Sequence, residues 1–267
     1  MDITEISKTL KSEGIFTKEN WLNENDQKKI ATTIQNLKPA KEDSNSFFIT
    51  NYKIFLMKIF KFNFKNVLTS IYYQKLSKKL KLIEIAKEFF ETEVRLTRID
   101  HYWTSKSEKP VIQWHVDNAY SGRKKINKFY KPDENALKFI FYLNDVSSDN
   151  GCLSYIPKSQ KIAYALKQGI YKGEIEYQSY WTLFDFRKII TKQNNFNYLK
   201  KIVGEKLLLE FLNTSESILN KTLDKKIFDK SVNKGGAVIF DEAGVHMGSK
   251  TMLSDRMVLR FFYKKKF

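Results

Sequence analysis

Gln113-Trp114-His115-Val116-Asp117-Asn118, read with the distant Gly244-Val245-His246 and with Arg256 ten residues further on, decides how this chain is organised. Alternate residues of a β-strand face the same side, so an extended stretch brings His115 and Asp117 to one point. His246 on a neighbouring strand completes a set of two imidazoles and one carboxylate. A facial triad of this kind leaves coordination positions open and typifies non-haem iron(II) oxygenases. Arg256 adds a fork-shaped cation suited to the far carboxylate of a 2-oxo acid. The chain has three histidines, and two of them fall in these stretches.

Alone, His-x-Asp is a weak signal, since a histidine in an apolar stretch more often serves the core than a metal. Its surroundings strengthen it. A strand-like run, Val94 to Tyr102, and a turn at Lys109-Pro110 precede the pair. His246 follows Gly235-Gly236-Ala237-Val238-Ile239-Phe240, which reads as a buried strand entered from a glycine turn. Each ligand candidate therefore lies at or just past a strand end, where barrel folds place function.

Outward from these strands the chain falls into three blocks. Residues 1–90 read as helical support. Thr17 is a candidate N-cap for a helix through Trp21, Ile30, Ile34 and Leu37, and a second long helix is expected over Val67 to Phe90. The aromatic stretch Asn45 to Phe64 is ambiguous. Strand signals dominate from Glu93 to Leu153, with turns at Asp133-Glu134-Asn135 and Ser147 to Gly151. Residues 161–234 read as a helical insertion or lid, with helices at Tyr180 to Lys192 and Leu207 to Leu223. Strands return at Ala237 to Phe240 and Met257 to Tyr263. This order predicts one domain over 1–267, a mainly β protein with helices: a double-stranded β-helix (jelly roll) of strands from 91–160 and 235–263.

The segment Leu137-Lys138-Phe139-Ile140-Phe141-Tyr142-Leu143-Asn144-Asp145-Val146, then Asp149-Asn150-Gly151-Cys152-Leu153, then Ile156-Pro157-Lys158-Ser159-Gln160-Lys161, resembles the phytanoyl-CoA dioxygenase family of Fe(II)/2-oxoglutarate dioxygenases. His115-x-Asp117, His246 with its later arginine, and the stretch Gly14 to Leu37 are similar to that family too. Lys158 and Gln160 depart from its pattern, which has Gly and His there; neither position is a metal ligand in the family. The resemblance implies that His115, Asp117 and His246 bind Fe(II) and are the catalytic centre. It also implies that Arg256 pairs with the 5-carboxylate of the cosubstrate 2-oxoglutarate. With dioxygen, such an enzyme releases succinate and CO2 and hydroxylates an unactivated C–H bond. Asp117 favours hydroxylation, because related halogenases lack this carboxylate. Trp114 and Asn118 flank the triad as candidates for contact with substrate, although a tryptophan there more often packs.

Arginine is scarce: Arg95, Arg98, Arg123, Arg187, Arg256 and Arg260 are all the chain has. Arg256 and Arg260 have even spacing on the last strand and stand about 13 Å apart, so one of them grips the cosubstrate. Arg256 matches the family's arginine, and Arg260 is expected in a salt bridge. Arg98, on the strand before His115, is a second candidate for cosubstrate binding. His101 is expected to pack or to hydrogen-bond.

Composition bounds the remainder. The formal net charge of +17 is carried almost wholly by lysine. That charge invites a polyanionic partner, but no arginine-rich tract or interleaved basic–aromatic motif accompanies it, and Lys264-Lys265-Lys266 reads as a short solvated tail. Specific nucleic-acid binding is therefore not expected. A lone cysteine, Cys152, excludes an intramolecular disulfide framework and reads as a small buried residue. Met1-Asp2-Ile3-Thr4-Glu5 lacks a signal-peptide pattern, and no apolar run has membrane-spanning length, so a cytoplasmic enzyme away from membranes is expected. The leading expectation is a hydroxylase of a small molecule, an anionic one included. The same chemistry on a protein or nucleic acid, and a non-enzymatic basic binding module on the same scaffold, are the alternatives.

Overall fold

A computed structural model describes residues 2–36, 46–47, 64–117 and 135–266. The ambiguous stretch 45–64 lies almost wholly outside them, as do Asn118, Arg123 and the first two residues of the expected turn at Asp133. The fold is the expected jelly roll, two antiparallel sheets packed face to face.

The six-stranded sheet has at its centre β10 (Arg256–Lys265), between β5 (Leu137–Tyr142) and β3 (Val94–Thr104). Beyond β5 lie β8 (Ala237–Asp241) and β1 (Ile15–Lys18), and beyond β3 lies the short β2 (Ser46–Phe47). The smaller sheet runs β4 (Ser107–Val116), β9 (Val245–Thr251), β6 (Leu153–Tyr155), β7 (Asp229–Lys230). Val258 on β10 stands opposite Tyr102 on one side and Tyr142 on the other. Period-two alternation then sorts the strand. Leu259, Phe261 and Tyr263 face the helices, while Val258 turns into a core shared with Leu153 and Tyr155 of the smaller sheet. Arg256 and Arg260 share the inward parity of Val258.

Behind the large sheet, helices α1 (Ile3–Glu13), α2 (Glu24–Gln35), α3 (Phe64–Lys79) and α4 (Leu82–Phe90) bury Leu10, Ile30, Ile34, Leu82 and Ile85 against Phe139, Ile239 and Phe261. Each such side chain, fully buried, contributes roughly 1.5–3 kcal/mol. Asp2 caps α1 by accepting from the Thr4 and Glu5 amides, at 2.9 and 3.2 Å. The expected cap at Thr17 is corrected: Thr17 pairs with Val238 inside β1, and Asn23 caps α2 by accepting from the Asp26 amide. The expected helix Val67 to Phe90 is two helices, broken where Lys81 takes φ 56°, which a right-handed helix cannot continue.

The turn expected at Lys109-Pro110 is also corrected. Both residues lie inside β4, and Pro110 sits at a register shift, where its missing N–H costs no ladder bond. The chain reverses instead at Ser105-Lys106. Lys264 and Lys265 are not a tail but extend β10, paired with Arg95 and Val94.

Between β6 and β7 run α5 (Ser159–Lys172), α6 (Leu183–Ile190), α7 (Gln193–Val203) and α8 (Glu205–Leu219). Their apolar faces, including Ile162, Leu166, Phe186, Leu208 and Phe211, pack on Val116, Ile156 and Val245 of the smaller sheet. Among the described residues no helix is long and apolar enough to cross a membrane.

Candidate metal centre

β4 and β9 deliver both histidines on one rung, His115 directly opposite His246. The ladder slips between Ile112 and His115, where three steps on β4 match two on β9. Such a bulge re-aims the side chains that follow it. Each imidazole is fixed by its own backbone: His115 Nδ1 donates to the Gln113 carbonyl at 2.7 Å, and His246 Nδ1 to the Gly244 carbonyl at 2.8 Å. That arrangement puts the proton on Nδ1 and leaves both Nε2 lone pairs free to ligate. Asp117, one residue past the end of β4, brings its two oxygens to 3.5 Å from His115 Nε2 and 3.2 Å from His246 Nε2. One donor atom from each of the three lies within 4.8 Å of the others, a spacing that suits one divalent ion. The set expected from sequence is thus brought together.

Lys138 was quoted in the sequence only as part of a strand, yet it is central here. Its ammonium, buried on β5, donates to Asp117 Oδ2 and lies 3.4 Å from Glu242 Oε2, while Glu242 Oε1 accepts from the Ala136 amide at 2.6 Å. Burial opposes charge on Asp117, but the Lys138 ammonium beside it outweighs burial and holds the carboxyl well below its usual range. Burial, with His115 alongside, lowers His246 to about 4. Near neutral pH the aspartate is therefore ionised and His246 is neutral, the protonation states in which these groups bind metal. Aromatic rings wall the pair: Trp181 stands 5.2 Å from His115 and Phe240 4.9 Å from His246, centroid to centroid.

Arg256 lies in the barrel with 5% exposure. One guanidinium nitrogen donates to the Gly151 carbonyl at 3.2 Å, another to Tyr102 Oη at 3.1 Å, and Nε, buried, has no hydrogen-bond partner among the described residues. A buried cation with an unspent donor fits a carboxylate ligand. Gly151 makes room for it, since a Cβ there would lie 2.7 Å from Arg256 Cδ. Arg260 is in the expected salt bridge, with Asp100 at 2.6 Å, and Arg98 reaches the same carboxylate at 2.7 Å. Asp100, Tyr102, Lys138 and Glu242 were not singled out from sequence. Strand parity could have found Asp100, Tyr102 and Lys138, whereas Glu242 lies one residue past β8 and carries no such signal.

Other residues fall as follows. His101, opposite Leu259 on the helix-facing side of the large sheet, meets Tyr73 Oη through Nδ1 at 2.5 Å. Cys152 is buried, its Sγ 3.6 Å from Ser249 Oγ. Trp114 packs edge-on to Phe228. Of the insertion aromatics, Trp181 borders the metal centre, Tyr180 and Phe186 pack in the helical core, and Tyr171 and Phe184 are exposed.

The chain's likeness to solved structures agrees with this fold. It is similar to HygX from Streptomyces hygroscopicus with nickel and 2-oxoglutarate bound, at TM-score 0.58 and 12% identity, over 98% of this chain and 87% of that one. It is also similar to the epimerase SnoN in complex with Fe3+, alpha ketoglutarate and nogalamycin RO, at TM-score 0.53 and 10% identity, covering 98% and 83%. A third is EctD from S. alaskensis with bound Fe, at TM-score 0.53 and 13% identity, covering 98% and 76%. No curated protein matches in sequence. Residues 48–257 match the family described as Phytanoyl-CoA dioxygenase (PhyH), and the chain belongs to that family.

Proposed function

We propose that this chain is an iron(II)- and 2-oxoglutarate-dependent oxygenase that hydroxylates an unactivated C–H bond of a small molecule. The observation that carries the reading is the pairing of two features in one barrel: the His115–Asp117–His246 set and the buried Arg256 with its unspent Nε. A purely structural scaffold has no need of both. HygX and SnoN, similar in fold, have each been solved with 2-oxoglutarate and a metal.

Iron and 2-oxoglutarate, when bound, supply with dioxygen the oxidising power that the side chains lack. His115, Asp117 and His246 would hold the metal, a donor set of two imidazoles and one carboxylate that suits a non-haem iron(II) centre. Arg256 orients the cosubstrate by its distal carboxylate, with Tyr102 supporting the guanidinium. Lys138 satisfies Asp117 Oδ2 and restrains rotation of the carboxylate. Trp181, Phe240 and Tyr155 keep water from the imidazoles.

The helical insertion belongs to this single domain and forms one wall of the site. Its Trp181 carbonyl accepts from the Val116 amide at 3.0 Å, and Thr182 bridges His115. An epimerase among the fold relatives leaves inversion as the second outcome of C–H attack. Succinate release over a substrate panel, with mass analysis of the product, tests the reading: a mass gain of one oxygen is expected, and an isomer of unchanged mass would favour inversion.

A further inference from the structure

Tyr102 on β3 stands between two arginines of β10. It lies opposite Val258, and Arg256 and Arg260 are the residues two places before and after Val258 on the same inward face. Their guanidinium carbons come to 5.7 and 4.8 Å from the centroid of the Tyr102 ring, the range of a cation–π contact. Arg260 is itself fixed by Asp100, donating to Oδ1 at 2.6 Å and to Oδ2 at 3.0 Å. Arg256 differs in its charge balance. Among the described residues no carboxylate pairs with it, and its buried Nε has no hydrogen-bond partner.

The direction of one hydrogen bond then decides what Tyr102 can do. Arg256 Nη2 lies 3.1 Å from Tyr102 Oη. A guanidinium has donors and no acceptor, so the tyrosine oxygen accepts and its own O–H points elsewhere. Among the described residues that proton meets no acceptor. Nη2 and Nε share one edge of the guanidinium plane, so the free Nε and the free O–H are neighbours. We propose that Tyr102 is a second cosubstrate-binding residue, its hydroxyl donating to the distal carboxylate of 2-oxoglutarate beside Arg256. This deepens the oxygenase reading and rests on it. A carboxylate has about four acceptor positions on two oxygens, enough to take both donors, and it brings the negative charge that Arg256 lacks. A ligand with an apolar end would leave both donors unpaired in a buried site, which rejects it more strongly than a lost contact does. Tyr102 therefore selects 2-oxo acids that end in a carboxylate over those that end in a methyl group.

The test compares wild type with Tyr102→Phe, which keeps the ring between the two arginines and removes only the hydroxyl. Each full-length protein is loaded with Fe(II) in the absence of oxygen. It is titrated with 2-oxoglutarate and, separately, with 2-oxopentanoate, the same carbon chain with a methyl end, following the visible charge-transfer band. Tyr102→Phe should weaken 2-oxoglutarate binding about tenfold or more, the scale of a hydrogen bond to a charged group. Iron affinity and the weaker binding of 2-oxopentanoate should stay as in wild type, so discrimination between the two acids narrows by the same factor. Unchanged 2-oxoglutarate affinity would overturn the proposal. So would a loss of iron or 2-oxopentanoate binding in step with that of 2-oxoglutarate, which marks a structural role. A second arm repeats the substitution in an Arg256→Lys background, where the hydroxyl still faces the carboxylate. A further loss of 2-oxoglutarate binding is expected there; none would mean that Tyr102 acts only through Arg256 and would overturn direct binding. If wild type itself gives no band with iron(II) and 2-oxoglutarate, the oxygenase reading is what has failed.

Discussion

His115 and His246 face each other on β4 and β9 with ring centroids 4.3 Å apart, each tied through Nδ1 to the carbonyl two residues before it. One rung of one ladder thus supplies two ligands in a fixed tautomer. The site needs no loop to assemble it; Asp117 follows from the strand that carries His115. Elements this rigid favour a preorganised centre.

Arg256→Lys keeps the charge and loses the fork. Affinity for 2-oxoglutarate should fall roughly 10–100-fold, the range of one lost charge-assisted pair. Calorimetric titration of the metal-loaded protein measures this. A loss at Arg260→Lys as large as that at Arg256→Lys would show that the wrong position on β10 was assigned.

Gly244→Ala should destabilise the protein by about 1–3 kcal/mol, the usual cost of overpacking. A Cβ there would stand 1.9 Å from the hydroxyl of buried Tyr155. Because the Gly244 carbonyl also holds His246 Nδ1, metal affinity should fall with stability. Urea unfolding of Gly244→Ala and of its double variant with Tyr155→Leu checks the cause: removing the hydroxyl and the ring carbons, which would lie 2.3 and 2.9 Å from that Cβ, should make the two substitutions cost less together than the sum of each alone, and simple additivity would place the strain elsewhere.

Much of this architecture was legible in the sequence. Period-two spacing puts His115 and Asp117 on one face, the β–helical–β order of elements gives the jelly roll, and Arg256 was chosen over Arg260 by its nearness to His246 and by resemblance to the family. Lys138 and Asp100 were hidden because a charged residue in a strand reads as solvent-facing until the opposing sheet is in place. The break at Lys81 was hidden for another reason: apolar periodicity continues across it, and only φ reveals the change. Pro110 misled in the opposite sense, since proline marks turns more often than it marks irregular strand positions.

Lys158→Gly should stabilise the protein by about 1 kcal/mol. Lys158 holds φ 64°, a left-handed conformation that costs an L-residue roughly 1–2 kcal/mol and glycine almost nothing. Its ion pair with Glu13 is long, 3.8 Å, and exposed, so little is lost with it. Thermal unfolding reads the difference, and an unchanged or lower midpoint would contradict it.

His101 should make the metal-free protein acid-sensitive. Burial lowers it from 6.5 to about 4, so on acidification the unfolded chain takes up this proton before the folded one does. Stability is then complete above about 6.5 and is lost as pH falls toward 4. His246 acts in the same direction over the same window. His101→Phe, though less stable at pH 7 for want of Tyr73's acceptor, should show a shallower decline of the urea midpoint between pH 6.5 and 4.5; an unchanged slope would remove His101 from this role.

Anaerobic titration of the metal-free protein with Fe(II) and then 2-oxoglutarate, followed by visible absorption, bears most directly on the metal centre. A metal-to-ligand charge-transfer band should appear in wild type at one equivalent of iron and vanish in His246→Ala and Asp117→Ala. A wild-type protein that binds iron but gives no band on addition of 2-oxoglutarate, or a band that survives both substitutions, would contradict the assignment of His115, Asp117 and His246 as the seat of oxygenase chemistry.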